Sequence, residues 1–294
     1  MKSTAVFSLN NQNLIGKTIA ITGATGVIGK ELCQTFANLN ANLILLNRNV
    51  ELSEQLKQEL LQKNPNIKID IFKTDLENLN EVINTCNKLK NYNIDFLILN
   101  AGAYKITRKT TDLGFDNIFQ INFISQYYLV KKLIPNLSKS NGKVITVGSI
   151  AHKYSKINIA DVDFSKCKTD SKTYGNAKRF LMFSLFELLK QHNINYAVAH
   201  PGITLTNITR NYPKIIKAII KYPMKILFLK PEDACKSISQ AVFKNCKYGY
   251  WIGPKIFNIW GKPAESKIKT FTKTESEQIY DIAEKIYTKI KLEK

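Results

Sequence analysis

Two residues four apart, Tyr174 and Lys178, could together move a proton. On a helix they project from one face a turn apart, and an ammonium beside a phenol favours the phenolate, drawing the tyrosine down from about 10 towards working pH. A tyrosine acid/base needs that shift. Alone the pair is weak evidence, because such spacings arise by chance in a chain with 13 tyrosines. A second group of residues could hold phosphate. Thr22-Gly23-Ala24-Thr25-Gly26-Val27-Ile28-Gly29 follows an apolar run and leads into a helical pattern beginning at Lys30. Glycines at such a turn let backbone approach a pyrophosphate, and the helix start offers unpaired N–H groups and the positive end of its dipole. About twenty residues beyond this turn, where the ribose of a dinucleotide would lie, stand Asn47 and Arg48. An acid there would accept from ribose hydroxyls, whereas an amide and a guanidinium suit a 2′-phosphate. The pattern favours NADP(H) over NAD(H), with Arg48 as a merely solvated loop charge the competing reading.

These groups need elements to hold them. Through the first 200 residues, short apolar runs alternate with longer stretches of helical period, the pattern of repeated β-α units around a parallel sheet. Strands are expected at Thr18–Thr22, Asn42–Leu46, Ile67–Phe72, Asp95–Leu99, Lys143–Val147 and Asn195–Ala199, several apolar almost throughout, as strands covered on both faces should be. Crossover helices are expected over Glu51–Gln62, Asn78–Leu89, Phe115–Leu137 and Thr173–Gln191. No repeat or linker interrupts the chain. The expected fold is one doubly wound, Rossmann-type α/β domain with a parallel β-sheet and helices on both faces. Residues 14–200 form its core, 203–230 a lid, and 231–294 a helix from Pro231, a short strand around Tyr248–Ile252 and a final helix. For that last helix Thr274 and Glu277 have capping-box spacing, and Ile279, Ile282, Ile286 and Ile290 share a face.

Composition narrows the class. The 294 residues are 44% apolar and 22% charged, enough for a substantial core. The five cysteines are scattered and have no ligand spacing, which reads as reduced thiols in a cytoplasmic protein. His152, His192 and His200 form no ligand set, and no metal is expected. The start lacks the apolar run of a signal peptide, and no span of about 18 apolar residues occurs. The formal net charge of +20 is spread along the chain without a basic cluster interleaved with aromatics, so no specific nucleic-acid partner is expected.

Set in order, Leu99-Asn100-Ala101-Gly102 after the fourth strand, Asn122 in the long helix, Ser149 after the fifth strand, Tyr174-Gly175-Asn176-Ala177-Lys178, and Pro201-Gly202 after the sixth make the chain resemble the short-chain dehydrogenase/reductase family over nearly its whole length. The resemblance implies an NAD(P)-dependent oxidoreductase in which Tyr174 exchanges the substrate proton and Ser149 holds the substrate oxygen. It further implies that Lys178 binds the nicotinamide ribose, and that Asn122 kinks its helix and anchors a water. By the same resemblance Gly23, Thr25, Gly26, Ile28, Gly29, Asn47, Arg48, Asp75, Leu76, Asn100, Ala101, Gly102, Pro201, Gly202, Ile203, Thr204 and Thr206 meet the cofactor. The glycine spacing 23, 26, 29 is closer to the family's extended branch, with Val27 where a glycine is usual. Leu46-Asn47-Arg48-Asn49, Asp112-Leu113-Gly114-Phe115-Asp116 and Ser149-Ile150-Ala151-His152 are most similar to retinol-dehydrogenase-like members, which implies a lipophilic alcohol, aldehyde or ketone.

Residues 212–230 carry Lys214, Lys217, Lys221 and Lys225 as one stripe opposite isoleucines. That is a lid over an apolar pocket or a peripheral contact with a membrane surface. The faces of Phe115–Leu137 and Thr173–Gln191 fit either a homodimer, as the resemblance implies, or burial in the core. A protein of the same fold that senses NADP(H) without catalysis is the alternative function.

Overall fold

A computed structural model describes residues 12–167, 169–203 and 229–293. Eight strands form one sheet in the order β3-β2-β1-β4-β5-β6-β7-β8. β1 (Thr18–Thr22), β2 (Asn42–Asn47), β3 (Ile69–Lys73), β4 (Phe96–Leu99), β5 (Lys143–Val147) and β6 (Asn195–Ala199) are mutually parallel, as is β7 (Tyr250–Ile256) against β6. The chain winds outward one way from β1 to β3, then returns to lay β4 on β1's other side. That reversal opens a crevice at the carboxyl ends of β1 and β4.

The helices are α1 (Val27–Asn38), α2 (Val50–Lys63), α3 (Leu79–Leu89), α4 (Asn117–Lys139, with a π-helical turn at Gln120–Ile124), α5 (Asp170–Gln191), α6 (Pro231–Phe243) and α7 (Lys273–Glu293). Successive strand residues point to opposite faces. Ile19, Ile21, Leu43, Leu45 and Ile145 pack in one apolar cluster and Ala20, Ile44, Leu46, Leu97 and Val144 in the other. Both faces are therefore dry, which is why these strands read as continuous apolar runs.

The sequence reading is amended at the carboxyl end. The single short strand expected around Tyr248–Ile252 is a hairpin, β7 followed by an antiparallel β8 (Trp260–Lys267). Its sequence, WGKPAESK, carries glycine, proline and three charges, tolerated only because β8 is a half-exposed edge. α7 is capped two residues earlier than expected. Thr272 Oγ1 accepts from Glu275 N–H at 3.2 Å, so Thr274 lies inside the helix. The apolar faces of α4 and α5 lie under α7. Phe123, Tyr127 and Tyr128 meet Ala283, Tyr287 and Ile290, Lys131 Nζ pairs with Glu284 Oε2 at 2.9 Å, and Ser276 donates to Phe183 O at 2.9 Å. Thr204, Thr206 and nearly all of the expected lid and basic stripe lie outside the described residues. Among the described residues no helix is long and apolar enough to cross a membrane, and no group of His, Cys, Asp and Glu could hold a metal ion.

Candidate active site

The crevice floor is shaped by glycines and by one asparagine. Gly23 turns at φ +68°, a conformation that favours glycine. Gly29 brings α1 so close that an added Cβ would stand 2.2 Å from Gly23 O. Asn100 Nδ2 donates to both Thr22 O and Gly23 O at 3.0 Å, and Thr22 Oγ1 accepts from Ala101 N–H at 3.0 Å, so the ends of β1 and β4 are locked together. Thr25, Gly26 and Ile28 are half-buried at the start of α1. At the end of β2, Asn47 is buried with Nδ2 donating to Ser53 Oγ at 2.9 Å and Oδ1 without a partner, and Arg48 is exposed beyond it. Asp75 Oδ1 accepts from Glu77 N–H at 3.0 Å, while Leu76 is buried and its carbonyl accepts from Ser125 Oγ at 2.6 Å. Pro201 and Gly202 follow β6, Gly202 at φ +79°.

Further along the strand ends the groups become side chains. Asn122 sits in the π-helical turn, where the widened winding releases a carbonyl from the usual ladder. Asn122 Nδ2 donates to Ile118 O and to Ala103 O, each at 2.8 Å, and Oδ1 accepts from Ala103 N–H at 3.2 Å. The resemblance implies a kink at Asn122, and the π-helical turn lies at that residue. Lys178, wholly buried on α5, donates to Val147 O at 3.2 Å. Gly102 lies between them. A Cβ there would stand 2.9 Å from Asn122 Oδ1 and 3.4 Å from Lys178 Nζ, so only glycine leaves both groups open to the crevice. Ser149 stands two residues beyond β5 and caps the short 3₁₀ turn Ile150–Tyr154, its Oγ accepting from Ala151 N–H at 3.2 Å. Tyr174 stands beside Ser149, close enough for that side chain to favour its phenolate, and Tyr104 packs edge-on at 5.3 Å between ring centroids.

The electrostatics differ from the sequence expectation. Burial pushes the Tyr174 phenol up to about 12, with the Ser149 hydrogen bond pulling the other way and Tyr104 adding to the rise. Lys178, which was to lower it, is itself brought down to about 8 by burial and stands 5.8 Å from the centre of the Tyr174 ring. Desolvation of both groups outweighs their mutual effect. At neutral pH Tyr174 is thus protonated, the form that gives a proton when a carbonyl is reduced.

Two residues to which the sequence assigns no role complete the geometry. Gly175 lies where α5 crosses the 3₁₀ turn, and a Cβ there would stand 2.1 Å from Ala151 O. Glycine alone lets Tyr174 come down beside Ser149, and the sequence signals are its place between Tyr174 and Lys178 and a glycine in the interior of a helical pattern. Arg179, next to Lys178, forms a bidentate pair with Glu275 of α7, Nε to Oε1 at 2.7 Å, and its NH1 donates to His152 O at 3.0 Å.

The described groups fit a dinucleotide. The glycine cradle, the buried and unpartnered Asn47 Oδ1 and the gap at Gly102 line one crevice edge from the ribose end to the reacting end. Residues 17–215 match the family pattern described as short chain dehydrogenase. Over 211 residues the chain is 29% identical to the WW domain-containing oxidoreductase of Gallus gallus, covering 70% of this chain and 51% of that protein. Over 262 residues it is 27% identical to retinol dehydrogenase 14 of Mus musculus, covering 79% and 78%. The chain spans about half the length of several curated relatives it matches. A crystal structure of an uncharacterized protein from Mycobacterium paratuberculosis superposes with a TM-score of 0.76 over 97% of this chain and 98% of that one, at 19% identity, a likeness of fold.

Proposed function

We propose a function from one fact: this chain belongs to the short-chain dehydrogenase family, whose pattern it matches through the crevice and the catalytic helix. It is an NADP(H)-dependent oxidoreductase that interconverts a lipophilic alcohol and its aldehyde or ketone. The observation that carries this reading is the convergence of Tyr174, Ser149, Lys178 and Asn122 at the carboxyl ends of β4 and β5, around the gap left by Gly102. The dinucleotide, when bound, supplies or accepts hydride. The chain's own groups handle the rest. Ser149 Oγ holds the substrate oxygen beside Tyr174 Oη. The protonated phenol gives that oxygen a proton as the carbonyl is reduced, a general-acid step worth about 10²–10⁴ in rate. Lys178 Nζ and Asn122 Oδ1 face the gap at Gly102, where Lys178 can hold ribose hydroxyls. Exposed Arg48 beside the buried Asn47 supports the 2′-phosphate, since a guanidinium at that strand end can meet it with charge-assisted hydrogen bonds. The greasy character of the substrate is supported by the Tyr104 ring against Tyr174 and by the likeness to retinol dehydrogenase 14.

The test is oxidation of NADPH and NADH by a panel of lipophilic aldehydes and ketones. Tyr174→Phe is expected to lower turnover at least about a hundredfold while leaving NADPH fluorescence titration intact. Full activity in that variant sinks the reading, and a wild-type protein that binds NADPH but oxidises it with no carbonyl supports a sensor instead.

A further inference from the structure

Behind Ser149 lies a buried stack that the proton chemistry does not use. The His152 ring stands edge-on to Trp251, centroids 5.3 Å apart at 86°, and the His200 ring lies parallel to the same indole at 5.0 Å and 14°. All three side chains are buried, and Trp251 is fixed by its Nε1–H donating to Ser266 Oγ at 2.9 Å. The two imidazoles address successive carbonyls on the way into the serine. His152 Nδ1 lies 2.5 Å from Ser149 O, which also accepts the His152 backbone N–H at 3.2 Å, and His200 Nδ1 lies 3.4 Å from Gly148 O.

The tautomers follow from what each nitrogen faces. His152 Nε2 has no partner, so the single proton of a neutral ring belongs on Nδ1, where an acceptor waits. His200 Nε2 lies 3.1 Å from Asn258 O in the β7–β8 turn, the shorter of its two carbonyl contacts, so its proton belongs there and ties the ring to the hairpin. The segment cannot relax into a looser arrangement on the other side. A Cβ at Gly148 would meet Met182 Sδ at 2.8 Å and Val198 Cγ1 at 2.9 Å, and one at Gly175 would strike Ala151 O. The serine turn is thus pinned from the front by α5 and from behind by a ring.

We propose that His152 is a positioning residue: its Nδ1–H, held by the Trp251–His200 stack, fixes the Ser149 carbonyl and thereby the direction of the Ser149 hydroxyl. The role rests on the reading of Ser149 as the group that holds the substrate oxygen. A misdirected hydroxyl would slow the chemical step more than it would weaken dinucleotide binding, because the glycine crevice lies on other strands.

The experiment compares His152→Asn, whose amide can place a donor where Nδ1–H stands, with His152→Phe, which keeps the ring and loses the donor. His152→Phe is expected to lower kcat about tenfold or more with unchanged NADPH affinity, and His152→Asn to recover most of it at equal or lower Tm. A purely structural role would make activity follow Tm instead. Undiminished kcat in His152→Phe, or equal loss in both variants, overturns the proposal. Nitrogen-15 spectra of histidine-labelled wild-type protein give a second arm that needs no substituted protein: Nδ1–H on His152 and Nε2–H on His200 are expected, and Nε2–H on His152 overturns it. If wild type and Tyr174→Phe prove equally inactive, the hydride-transfer reading has failed, and the spectra still decide the hydrogen bond. An active wild type matched by His152→Phe removes only the role of His152.

Discussion

Around Gly23 and Gly29 the site is made of backbone and of room left by missing side chains, whereas around Ser149 it is made of side chains brought together from distant parts of the chain. On the nucleotide side the partners of Asn100 are main-chain carbonyls, and what matters at Gly29 is the absence of a Cβ. On the serine side Arg179 reaches Glu275, His152 leans on Trp251, and Arg108 pairs with Asp116 at 2.7 Å while its NH2 donates to Phe164 O at 2.8 Å. A cradle of backbone binds what all dinucleotides share. A scaffold of side chains can be altered one residue at a time without losing that binding, so substrate choice and turnover can vary on a constant nucleotide site.

The sharpest way to break this contrast is to put the same methyl group on each side. Gly175→Ala drives a Cβ to 2.1 Å from Ala151 O, and Gly29→Ala drives one to 2.2 Å from Gly23 O. If the two sides are separable, Gly175→Ala loses about a hundredfold or more in kcat with NADPH affinity retained, while Gly29→Ala loses NADPH affinity by about tenfold or more. Steady-state kinetics beside fluorescence titration read both quantities. Equal loss of affinity in the two variants would mean the crevice behaves as one unit.

Next in size is Glu275→Gln. Arg179 is almost fully buried, and removing the charge of its partner leaves a guanidinium short of compensation in a dry place. Breaking a buried pair from one side costs about 3–5 kcal/mol, and glutamine keeps one acceptor, so a destabilisation at or just below that range, about 2–3 kcal/mol, is expected in urea unfolding. Because Arg179 also holds His152 O, activity should fall before global unfolding does. Unchanged stability would show that α7 is dispensable to the serine side.

What the sequence disclosed divides along the same line. The bounds of β1, β5 and β6 are readable to the residue because strands covered on both faces are mostly apolar between polar ends, and the glycine turn is readable because its chemistry lies in spacing. β8 was not, since an edge strand half in water can be written with lysine, proline and glutamate. Gly175, Arg179 and His152 carry their roles in contacts between residues up to nearly a hundred positions apart, as in Arg179 with Glu275, and no local pattern encodes these. The Tyr174 shift runs opposite to the one its spacing from Lys178 predicts, for a related reason. Spacing reports the neighbour but not the desolvation, and burial is the larger effect here.

The buried imidazoles give a smaller effect that depends on pH. Burial holds both His152 and His200 down to about 4, with backbone hydrogen bonds opposing and the positive charge of Lys153, and for His152 that of Arg179, adding to the depression. Between about 6.5 and 4 the unfolded chain therefore binds protons that the folded one refuses. Stability from this source is complete above about 6.5 and is lost as the pH falls towards 4. Thermal unfolding at pH 7 and pH 5 should show the decline, and a His152→Asn, His200→Asn double variant should show less of it. An undiminished slope in the double variant would place the acid sensitivity elsewhere.

The smallest effect lies at the tip of the hairpin whose Asn258 carbonyl receives His200. Ile259 N–H donates to Ile256 O at 2.9 Å, closing a two-residue turn in which Phe257 and Asn258 have φ of +52° and +58°. Asparagine tolerates that conformation, but a phenylalanine is strained by it, and Phe257 is 82% exposed, so no packing offsets the strain. Phe257→Asn is expected to stabilise the protein by about 1 kcal/mol, since it removes strain without removing a contact. Kinetics sharpen the comparison further. If the hairpin supports the serine side through His200, a firmer turn raises Tm and leaves kcat unchanged or higher, whereas a rise in stability with a fall in kcat would mean that the turn must move during the cycle.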